Sequence, residues 1–270
     1  MTYNKKVKTI HLYHIDKRSI LGMEINAAID VNKLMIMEKE LTRFSMSYKF
    51  GLEEVMTKIN ILKEEFQYIH DYNPIEHVKS RIKSPESIVK KLYRKGLEFS
   101  LPSIKENIKD IAGIRIVCSF VTDIYKIADM LMNQKDLKTI KFKDYIKNPK
   151  PNGYQSLHLI LQVPVFMSDR VEDVCVEVQI RTIGMDFWAS LEHKIYYKYN
   201  KEVPQRLKDE LNEAAITVAQ LDRRMENLNK EITKIKDSDS TEENIINVFM
   251  KDNTFYLPDG LLSLQEELEK

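Results

Sequence analysis

NPKPNGYQSLHLILQV, residues 148–163, is the most informative stretch of this 270-residue chain. Its prolines and the Asn152-Gly153 pair predict a rigid loop that closes in a turn. After the turn, polar and apolar residues alternate with the two-residue period of a β-strand. Tyr154, Ser156 and His158 are therefore expected on the outer side of the strand, while the alternate, apolar residues face the core.

The loop and the polar side of this strand combine groups that suit a nucleotide. Lys150 supplies a positive charge, Tyr154 a ring, Ser156 a hydroxyl and His158 an imidazole. Charge suits phosphates, a ring suits a base, and polar tips suit sugar or phosphate oxygens. The pattern favours a nucleotide site, and an ordinary amphipathic edge strand behind a loop is the alternative.

Composition limits the class of protein. With 43% hydrophobic and 31% charged residues, the chain is typical of a soluble globular protein. A net charge of +1 predicts no general attraction to nucleic acid, DNA included, or to an anionic membrane, so any basic site must be local.

No apolar run approaches the roughly 20 residues that span a bilayer, and the N-terminus lacks the apolar core of a secretion signal. Cys118 and Cys175 lie in apolar runs and are expected to be reduced core residues, which predicts a cytoplasmic protein.

Hydrophobic periodicity predicts two regions before residue 203. A helical pattern over residues 24–72, with Gly51 between two helices, predicts an N-terminal helical region, residues 1–73. Residues 74–202 alternate strands and helices in an α+β order around one central sheet. Within them, Lys135–Lys147 is interpreted as a basic connector.

Two further regions follow. Residues 203–235 form a predicted long helix whose apolar residues are spaced like a heptad repeat. This stripe could pack within the chain or on another subunit. Residues 236–270 form an acidic tail, interpreted as partly disordered or as a docking segment.

Basic residues collect after Asn73-Pro74. The strand predicted there alternates, and its polar side carries His77, Lys79, Arg81 and Lys83. Ser84 and Pro85 then open a helix, as N-cap and first helical residue, that adds Lys90, Lys91, Arg94 and Lys95. Several cations on regular structure suit a triphosphate, and a solvated charged face is the alternative.

Acidic residues stand beside two predicted strands. In Val174–Arg181 the valines form one face, and Glu177, Gln179 and Arg181 form the other. Asp110 precedes another buried strand. Two acids on adjacent strands could hold Mg²⁺, which takes one or two carboxylates together with substrate phosphates. A half-exposed edge strand is the alternative for Glu177.

Other chemistries find little support. The six histidines and two cysteines show no zinc-ligand spacing, and neither a glycine-rich phosphate loop nor the G-x-S-x-G element of serine hydrolases occurs. Phosphates would therefore be held by side chains.

Four segments together resemble the signature regions of the RelA/SpoT-type (p)ppGpp synthetase domain, with flanks similar to the single-domain small alarmone synthetases. They are HVKSRIKSPESIVKKLYRKG, DIAGIRIVCSF, NPKPNGYQSLHL and VEVQIRTIGMDFWASLEHKIYYK. The resemblance implies a nucleotidyltransferase-like fold, a mixed sheet of about five strands surrounded by helices, with N- and C-terminal helical extensions. It also implies transfer of the β,γ-pyrophosphate of ATP to the ribose 3′-hydroxyl of GDP or GTP.

The same resemblance implies roles for residues at matching positions. ATP would be bound by Arg81, Lys83, Ser87, Lys91, Arg94 and Arg115. The acceptor nucleotide would be bound by Lys150, Asn152, Tyr154, His158 and Gln179, with Tyr154 stacking on guanine. Asp110 would be the main Mg²⁺ ligand, Glu177 would complete the metal site or act as a base toward the 3′-hydroxyl, and Arg81 would steady the transferred phosphates.

The resemblance also bears on partners and alternatives. The roughly 75 residues before the first motif are too few for the family's hydrolase domain, so synthesis without hydrolysis is expected. A homo-oligomer, with a tetramer favoured, is implied for a small synthetase. One alternative is a toxin-like enzyme of the same fold that pyrophosphorylates the tRNA 3′ end. Another is a non-catalytic nucleotide- or RNA-binding regulator, and an RNA effector also remains open.

Overall fold

The computed structural model describes residues 31–70, 72–197 and 203–238. The chain divides into two units, Met1–Met46 and Ser47–Lys270, and the described part of the first is the beginning of α1. In chain order the elements are α1 (Val31–Ile69), β1 (Ile75–Ile82), α2 (Pro85–Arg94), α3 (Leu101–Asn107), β2 (Ala112–Cys118), α4 (Val121–Met132), β3 (Lys138–Asp144), β4 (Leu157–Phe166), β5 (Val171–Thr182), α5 (Ile183–Tyr197) and α6 (Gln205–Ser238).

The described strands form one mixed sheet in the order β1-β2-β5-β4-β3. Only β2 and β5 run parallel, and the other neighbouring strands are antiparallel. This confirms the predicted α+β class with a mixed sheet of about five strands. The interpretation of Lys135–Lys147 as a connector was wrong, because β3 lies within it. All side chains of this edge strand except the last are exposed, so it lacks the buried face by which periodicity identifies a strand.

One face of the sheet forms the hydrophobic core. β4 and β5 bury every second residue, as the alternation predicted: Leu157, Leu159, Leu161, Val163, Val165, Val174, Val176, Val178 and Ile180. Removing each such aliphatic side chain from water contributes about 1.5–3 kcal/mol to folding. The opposite face of the same strands is thereby left for polar side chains.

Gly51 does not separate two helices, and that prediction was wrong. α1 is continuous from Val31 to Ile69. A Cβ atom at Gly51 would lie 2.7 Å from Cγ1 of Val174, so the glycine lets the helix backbone approach β5 closely. The part of the helical prediction before Val31 lies outside the described residues.

Two helices beside the sheet begin with side-chain caps. Ser84 accepts a hydrogen bond from the backbone N–H of Ser87, with Pro85 at the start of α2, as predicted. Thr182 Oγ1 accepts from the backbone N–H of Met185 and donates to Asp222 of α6. The first turn of α5 is thereby tied to α6.

The long C-terminal helix, α6, is observed slightly beyond its predicted end, to Ser238. The acidic tail after Ser238 lies outside the described residues. Cys118 is buried as expected, but Cys175 is only half-buried, which corrects its placement in the core. Among the helices that the structure describes, none has the length and apolar character needed to cross a bilayer.

Candidate active site

Strand register gathers the predicted site residues on the polar face of the sheet. Residues directly opposite each other across neighbouring strands share a face. One row, from β1 to β3, is Arg81, Gly113, Glu177, Ile160 and Lys141. The adjacent row is Lys79, Arg115, Gln179, His158 and Lys143. Cations on the outer strands therefore flank a central carboxylate.

Two cavities open on this face and share both acidic residues. The first, of about 270 Å³, is lined by Lys79, Ser80, Arg81, Asp110, Gly113, Ile114, Arg115, Glu177 and Gln179. The second, of about 220 Å³, is lined by Lys91, Lys95, Asn107, Lys109, Asp110, Ile140, Lys141, Lys143, His158, Ile160 and Glu177. Two compartments that meet at a pair of carboxylates can hold two ligands with their reacting groups close together.

The residues that line each cavity do not match the division between ATP-binding and acceptor-binding residues that the resemblance implies. Gln179, assigned to the acceptor, lines the first cavity with Arg81 and Arg115. Lys91, assigned to ATP, lines the second with His158. Residues assigned to one nucleotide therefore border both compartments, and the other assigned residues border neither: Lys83, Ser87, Arg94, Lys150, Asn152 and Tyr154.

Asp110 holds two of the predicted ATP-binding lysines. Its Oδ2 accepts hydrogen bonds from Lys83 Nζ and Lys91 Nζ, each at 2.6 Å. Burial works to raise the pKa of Asp110, but the two lysines outweigh it and hold that pKa below its usual value. Asp110 is therefore ionised at neutral pH. Lys83, which directly follows β1, and Lys91 of α2 are pre-positioned around it.

Of the remaining predicted ATP-binding residues, Arg81 and Arg115 line the first cavity, whereas Ser87 and Arg94 line neither cavity. Arg81 and Arg94 are exposed at the end of β1 and on α2, and the Ser87 hydroxyl accepts from Ser84 Oγ at 3.0 Å. Arg115 Nη1 contacts Asp186 Oδ1 at 3.1 Å, and Arg115 Nε is buried without a hydrogen-bond partner in the described part of the chain. An unpartnered guanidinium N–H beside a cavity is suited to receive a phosphate oxygen.

The second acid, Glu177, is held from two sides. Its Oε2 accepts from Gln179 Nε2 at 2.9 Å, and its Oε1 lies 3.4 Å from His158 Nδ1. Burial works to raise the pKa of Glu177, while His158 and Gln179 together lower it below the usual value. Burial lowers the pKa of His158 below its usual value and outweighs Glu177, which raises it, while Arg181 and Lys150 add to the lowering. The lowered pKa favours the neutral imidazole, whose Nδ1 faces Glu177 Oε1.

A Mg²⁺ ion fits the donor set at the two acids. Asp110 Oδ1 is buried and has no hydrogen-bond partner among the residues that the structure describes. The same residues contain no group of three His, Cys, Asp or Glu side chains that could enclose a metal. With nucleotides, Mg²⁺ commonly binds one or two protein carboxylates and takes its other ligands from water and the phosphates.

The loop before β4, residues 145–156, is built around Tyr154. Lys150 Nζ lies 4.4 Å from the centre of the Tyr154 ring and 4.7 Å from that of Tyr145. Asn152 Nδ2 donates to Glu192 of α5 at 3.2 Å. The loop turns at Gly153, which has a φ of 85°. Every predicted acceptor residue except Gln179 thus lies on this loop or at the start of β4.

α6 packs directly against this loop at Gly153. A Cβ atom at Gly153 would lie 2.5 Å from the Cβ of Ala215. Tyr154 also packs against a small cluster formed by Trp188, Ala189 and Ala215. The glycine is therefore required by contact with α6 as well as by its backbone angle.

Two predicted features of the strand after the loop need correction. β4 begins only at Leu157, so Tyr154 belongs to the loop. Ser156 was expected to face outward but is fully buried. Its hydroxyl donates to the backbone oxygen of Ile180 at 3.2 Å and accepts from Arg181, which satisfies the polar group inside the protein.

Arg181 is the residue that sequence reasoning left without a role. It is 4% exposed and donates to Tyr154, Gln179, Ser156 and Asp186. Arg181, Tyr154, His158, Glu177 and Gln179 form a closed ring of polar contacts: four are hydrogen bonds, and the fifth is the 3.4 Å approach of His158 Nδ1 to Glu177 Oε1. The available signal was the position of Arg181 on the same strand face as Glu177, but its partners come from distant parts of the chain.

Comparison with known proteins points to one family. A model of the region found in RelA and SpoT proteins matches residues 80–202. The GTP pyrophosphokinase YwaC of Bacillus subtilis is 57% identical over 185 residues, 68% of this chain and 88% of that protein. The crystal structure of small alarmone synthetase 1 from Bacillus subtilis bound to its product pppGpp has a TM-score of 0.67 and 36% identity, covering 72% of this chain and 98% of that chain. The structure of that synthetase bound to AMPCPP has a TM-score of 0.62 and 34% identity, covering 73% and 99%.

Proposed function

This chain belongs to the RelA/SpoT family of GTP pyrophosphokinases, and we propose that its polar sheet face binds ATP and a guanine nucleotide on either side of Asp110 and Glu177. The activity is that of a small alarmone synthetase, which transfers the β,γ-pyrophosphate of ATP to GDP or GTP. The observation that carries the division of the site is the pair of cavities sharing these two carboxylates.

The reaction is a displacement at phosphorus. The ribose 3′-oxygen of the acceptor bonds to the β-phosphorus of ATP, the bond from that phosphorus to the α,β-bridging oxygen breaks, and AMP leaves. Glu177 takes the proton of the 3′-hydroxyl. Its low pKa keeps it ionised, and each of its oxygens retains a lone pair beyond the hydrogen bonds from His158 and Gln179. Such proton removal contributes about 10²–10⁴-fold to the rate.

Cationic side chains position the phosphates and neutralise their charge, because pyrophosphoryl transfer depends on these two effects. Lys83 and Lys91 are fixed by Asp110, and Arg81 lies beside the first cavity. We assign Arg81, Lys83, Ser87, Lys91, Arg94 and Arg115 to ATP. We assign Lys150, Asn152, Tyr154, His158 and Gln179 to the acceptor, with the Tyr154 ring against guanine.

Mg²⁺ is the proposed cofactor, with Asp110 and Glu177 as its protein ligands. When bound, the ion would neutralise charge on the transferred phosphates. The free Oδ1 of Asp110 supports this assignment. Calorimetric titration of Mg²⁺ into protein saturated with AMPCPP, a non-hydrolysable ATP analogue, tests it without turnover. Asp110→Asn should abolish the binding heat, and Asp136→Asn, which removes an exposed carboxylate paired with Lys58, should preserve it.

A transfer assay tests the function against its alternatives. The protein is incubated with Mg²⁺, γ-labelled ATP and, separately, GMP, GDP, GTP or deacylated tRNA, and the products are resolved. Label on GDP or GTP is the expected result. Label on tRNA alone would support the toxin-like alternative, and no transfer to any acceptor would leave a non-catalytic binder. Purified ppGpp offered as a substrate tests the prediction that the chain lacks hydrolase activity.

A homo-oligomer, with a tetramer favoured, belongs to this proposal. α6 exposes an apolar stripe, each member of which is at least half exposed: Leu221, Met225, Leu228, Ile232 and Ile235. Its heptad-like spacing suits a second copy of the same helix. Light scattering after size exclusion tests this: Leu228→Lys should lower the mass, and Asn229→Lys, which adds the same charge beside the stripe, should not. A monomeric parent protein would contradict it.

Cellular location and an RNA effector complete the proposal. A cytoplasmic location is supported by the two free thiols, since such cysteines are typical of reducing compartments. An RNA effector is tested by adding single-stranded RNA to the transfer assay and measuring the rate.

A further inference from the structure

We propose that Arg181 is a positioning residue for the transfer reaction, which fixes the Glu177 carboxylate through two hydrogen-bonded arms. One arm runs through Gln179, and the other through Tyr154 and His158. Arg181 lines neither of the two cavities, so it acts through these neighbours. The inference rests on the proposed function, because it takes Glu177 as the base.

The first arm fixes the amide of Gln179. Arg181 Nη2 lies 3.1 Å from Gln179 Oε1, and Gln179 Nε2 lies 2.9 Å from Glu177 Oε2. A guanidinium can only donate hydrogen bonds, and an ionised carboxylate can only accept them. The amide therefore has one orientation that satisfies both neighbours, with its oxygen toward Arg181 and its nitrogen toward Glu177.

The second arm has a direction that Arg181 also determines. Arg181 donates to the Tyr154 hydroxyl oxygen, so the single hydroxyl hydrogen points to His158 Nε2, 2.8 Å away. Nε2 then accepts, and the proton of the neutral imidazole resides on Nδ1, facing Glu177 Oε1. Arg181, an obligate donor, and Glu177, an obligate acceptor, therefore favour the same tautomer of His158 from opposite ends of this arm.

Arg181 is itself held rigidly. Asp186 Oδ1 lies 3.1 Å from its Nη1, and Ser156 Oγ lies 3.4 Å from its Nε. A buried guanidinium is costly without such partners, and its planar fork loses little further freedom when it forms several hydrogen bonds. A consequence is that the ring assigned to the acceptor base and the carboxylate assigned to its 3′-hydroxyl belong to one rigid assembly.

Steady-state kinetics and nucleotide binding test this role. Arg181→Gln should lower kcat about 100-fold, and Tyr154→Phe about tenfold, from the hydrogen bonds each removes. GDP and AMPCPP affinities should stay within about threefold in both, because the Tyr154 ring and the phosphate-binding cations remain. Arg181→Lys keeps the positive charge but not the planar guanidinium, and its kcat should lie between those of Arg181→Gln and the parent. The double variant should be no more than about twofold slower than Arg181→Gln alone, because both changes interrupt the same arm.

A spectroscopic measurement reads the tautomer directly. In ¹⁵N-labelled protein at fixed pH, the parent should show His158 protonated on Nδ1, with the signal assigned by its loss in His158→Asn. Tyr154→Phe and Arg181→Gln should increase the Nε2-protonated form. A general structural defect would not produce this specific change.

Matched controls separate the role from loss of folding. Arg170→Gln removes ion pairs with Asp169 and Glu172 at the β4–β5 turn, and Tyr72→Phe removes a hydroxyl that donates to Asp123. Both should leave kcat and the His158 signal unchanged. If Arg181→Gln does not fold, Tyr154→Phe and Arg181→Lys decide the question.

Four results would overturn the inference in an active parent enzyme. Three are kinetic: normal kcat in Arg181→Gln or Tyr154→Phe, an effect confined to acceptor affinity, or fully multiplicative effects in the double variant. The fourth is an unchanged tautomer of His158. Failure of the proposed function is distinct, because the parent itself would then transfer no label.

Discussion

Gly113 on β2 lies directly opposite Glu177 on β5 in the parallel strand pair. The residue beside the carboxylate therefore has no side chain, and Gly113 forms part of the wall of the first cavity. A Cβ atom there would meet only Arg81, with its nearest atoms 3.9 Å away, which is ordinary van der Waals contact. The cavity is thus kept open by the absence of a side chain, with no backbone angle that requires glycine.

This relationship predicts that Gly113→Val separates stability from activity. Valine is favoured in strands, so thermal stability should be equal or higher. Its methyl groups should enter the first cavity and weaken AMPCPP binding at least tenfold. Gly113→Ala is the control, with both properties close to those of the parent. Differential scanning fluorimetry and equilibrium binding measure the two effects, and undiminished nucleotide binding in Gly113→Val would remove this cavity from the site.

Glu177→Gln should reduce the transfer rate about 10²–10⁴-fold. Binding of AMPCPP and GDP measured without Mg²⁺ should remain within a few-fold, because the amide replaces the carboxylate with little change in size. Glu172→Gln is the matched control, since that carboxylate pairs with Lys105 and Arg170 away from the polar face. Turnover close to that of the parent in Glu177→Gln would exclude the assigned role as a base.

Tyr154→Ala should weaken GDP binding by about 1–3 kcal/mol, the usual contribution of a base stacked on an aromatic ring. AMPCPP binding should change much less. Because Tyr154 also packs on the Trp188 cluster, a modest loss of thermal stability is expected as well. Equal losses of affinity for both nucleotides would place Tyr154 outside the acceptor pocket.

Asp222 should make the docking of α6 sensitive to pH. Burial raises its pKa above the usual value, although the hydrogen bond from Thr182 works in the opposite direction. The folded state thus binds the proton more tightly than the unfolded state, whose pKa is about 3.9. The associated stability is present at pH values below that pKa and is lost as the pH rises through the folded-state pKa.

Asp222→Asn should remove this dependence while keeping an oxygen that accepts from Thr182. The difference in Tm between the variant and the parent should therefore increase in favour of the variant from pH 4 to pH 7. Comparing the two proteins at each pH cancels the contributions of other carboxylates. A constant difference in Tm across this range would show that Asp222 does not titrate differently on folding.

Much of the fold could be predicted because its signals are local. Alternation placed Glu177 and Gln179 on the polar side of β5, and Ser84 with Pro85 marked the start of α2, since such features depend on neighbours in sequence. The errors fell where local signals were absent or ambiguous. β3 has no buried face, and Gly51, taken as a helix break, instead allows close packing on Val174.

Local patterns specify the residue types available for chemistry and the strand face on which most of them lie, because side-chain direction repeats every two residues along a strand. Which of these residues meet depends on the folded arrangement of the strands and helices. Strand order and register brought Arg81 and Glu177 into one row, buried Ser156, and joined Arg181 to Tyr154 across 27 positions of the chain. These contacts depend on packing between distant segments, which no local pattern encodes.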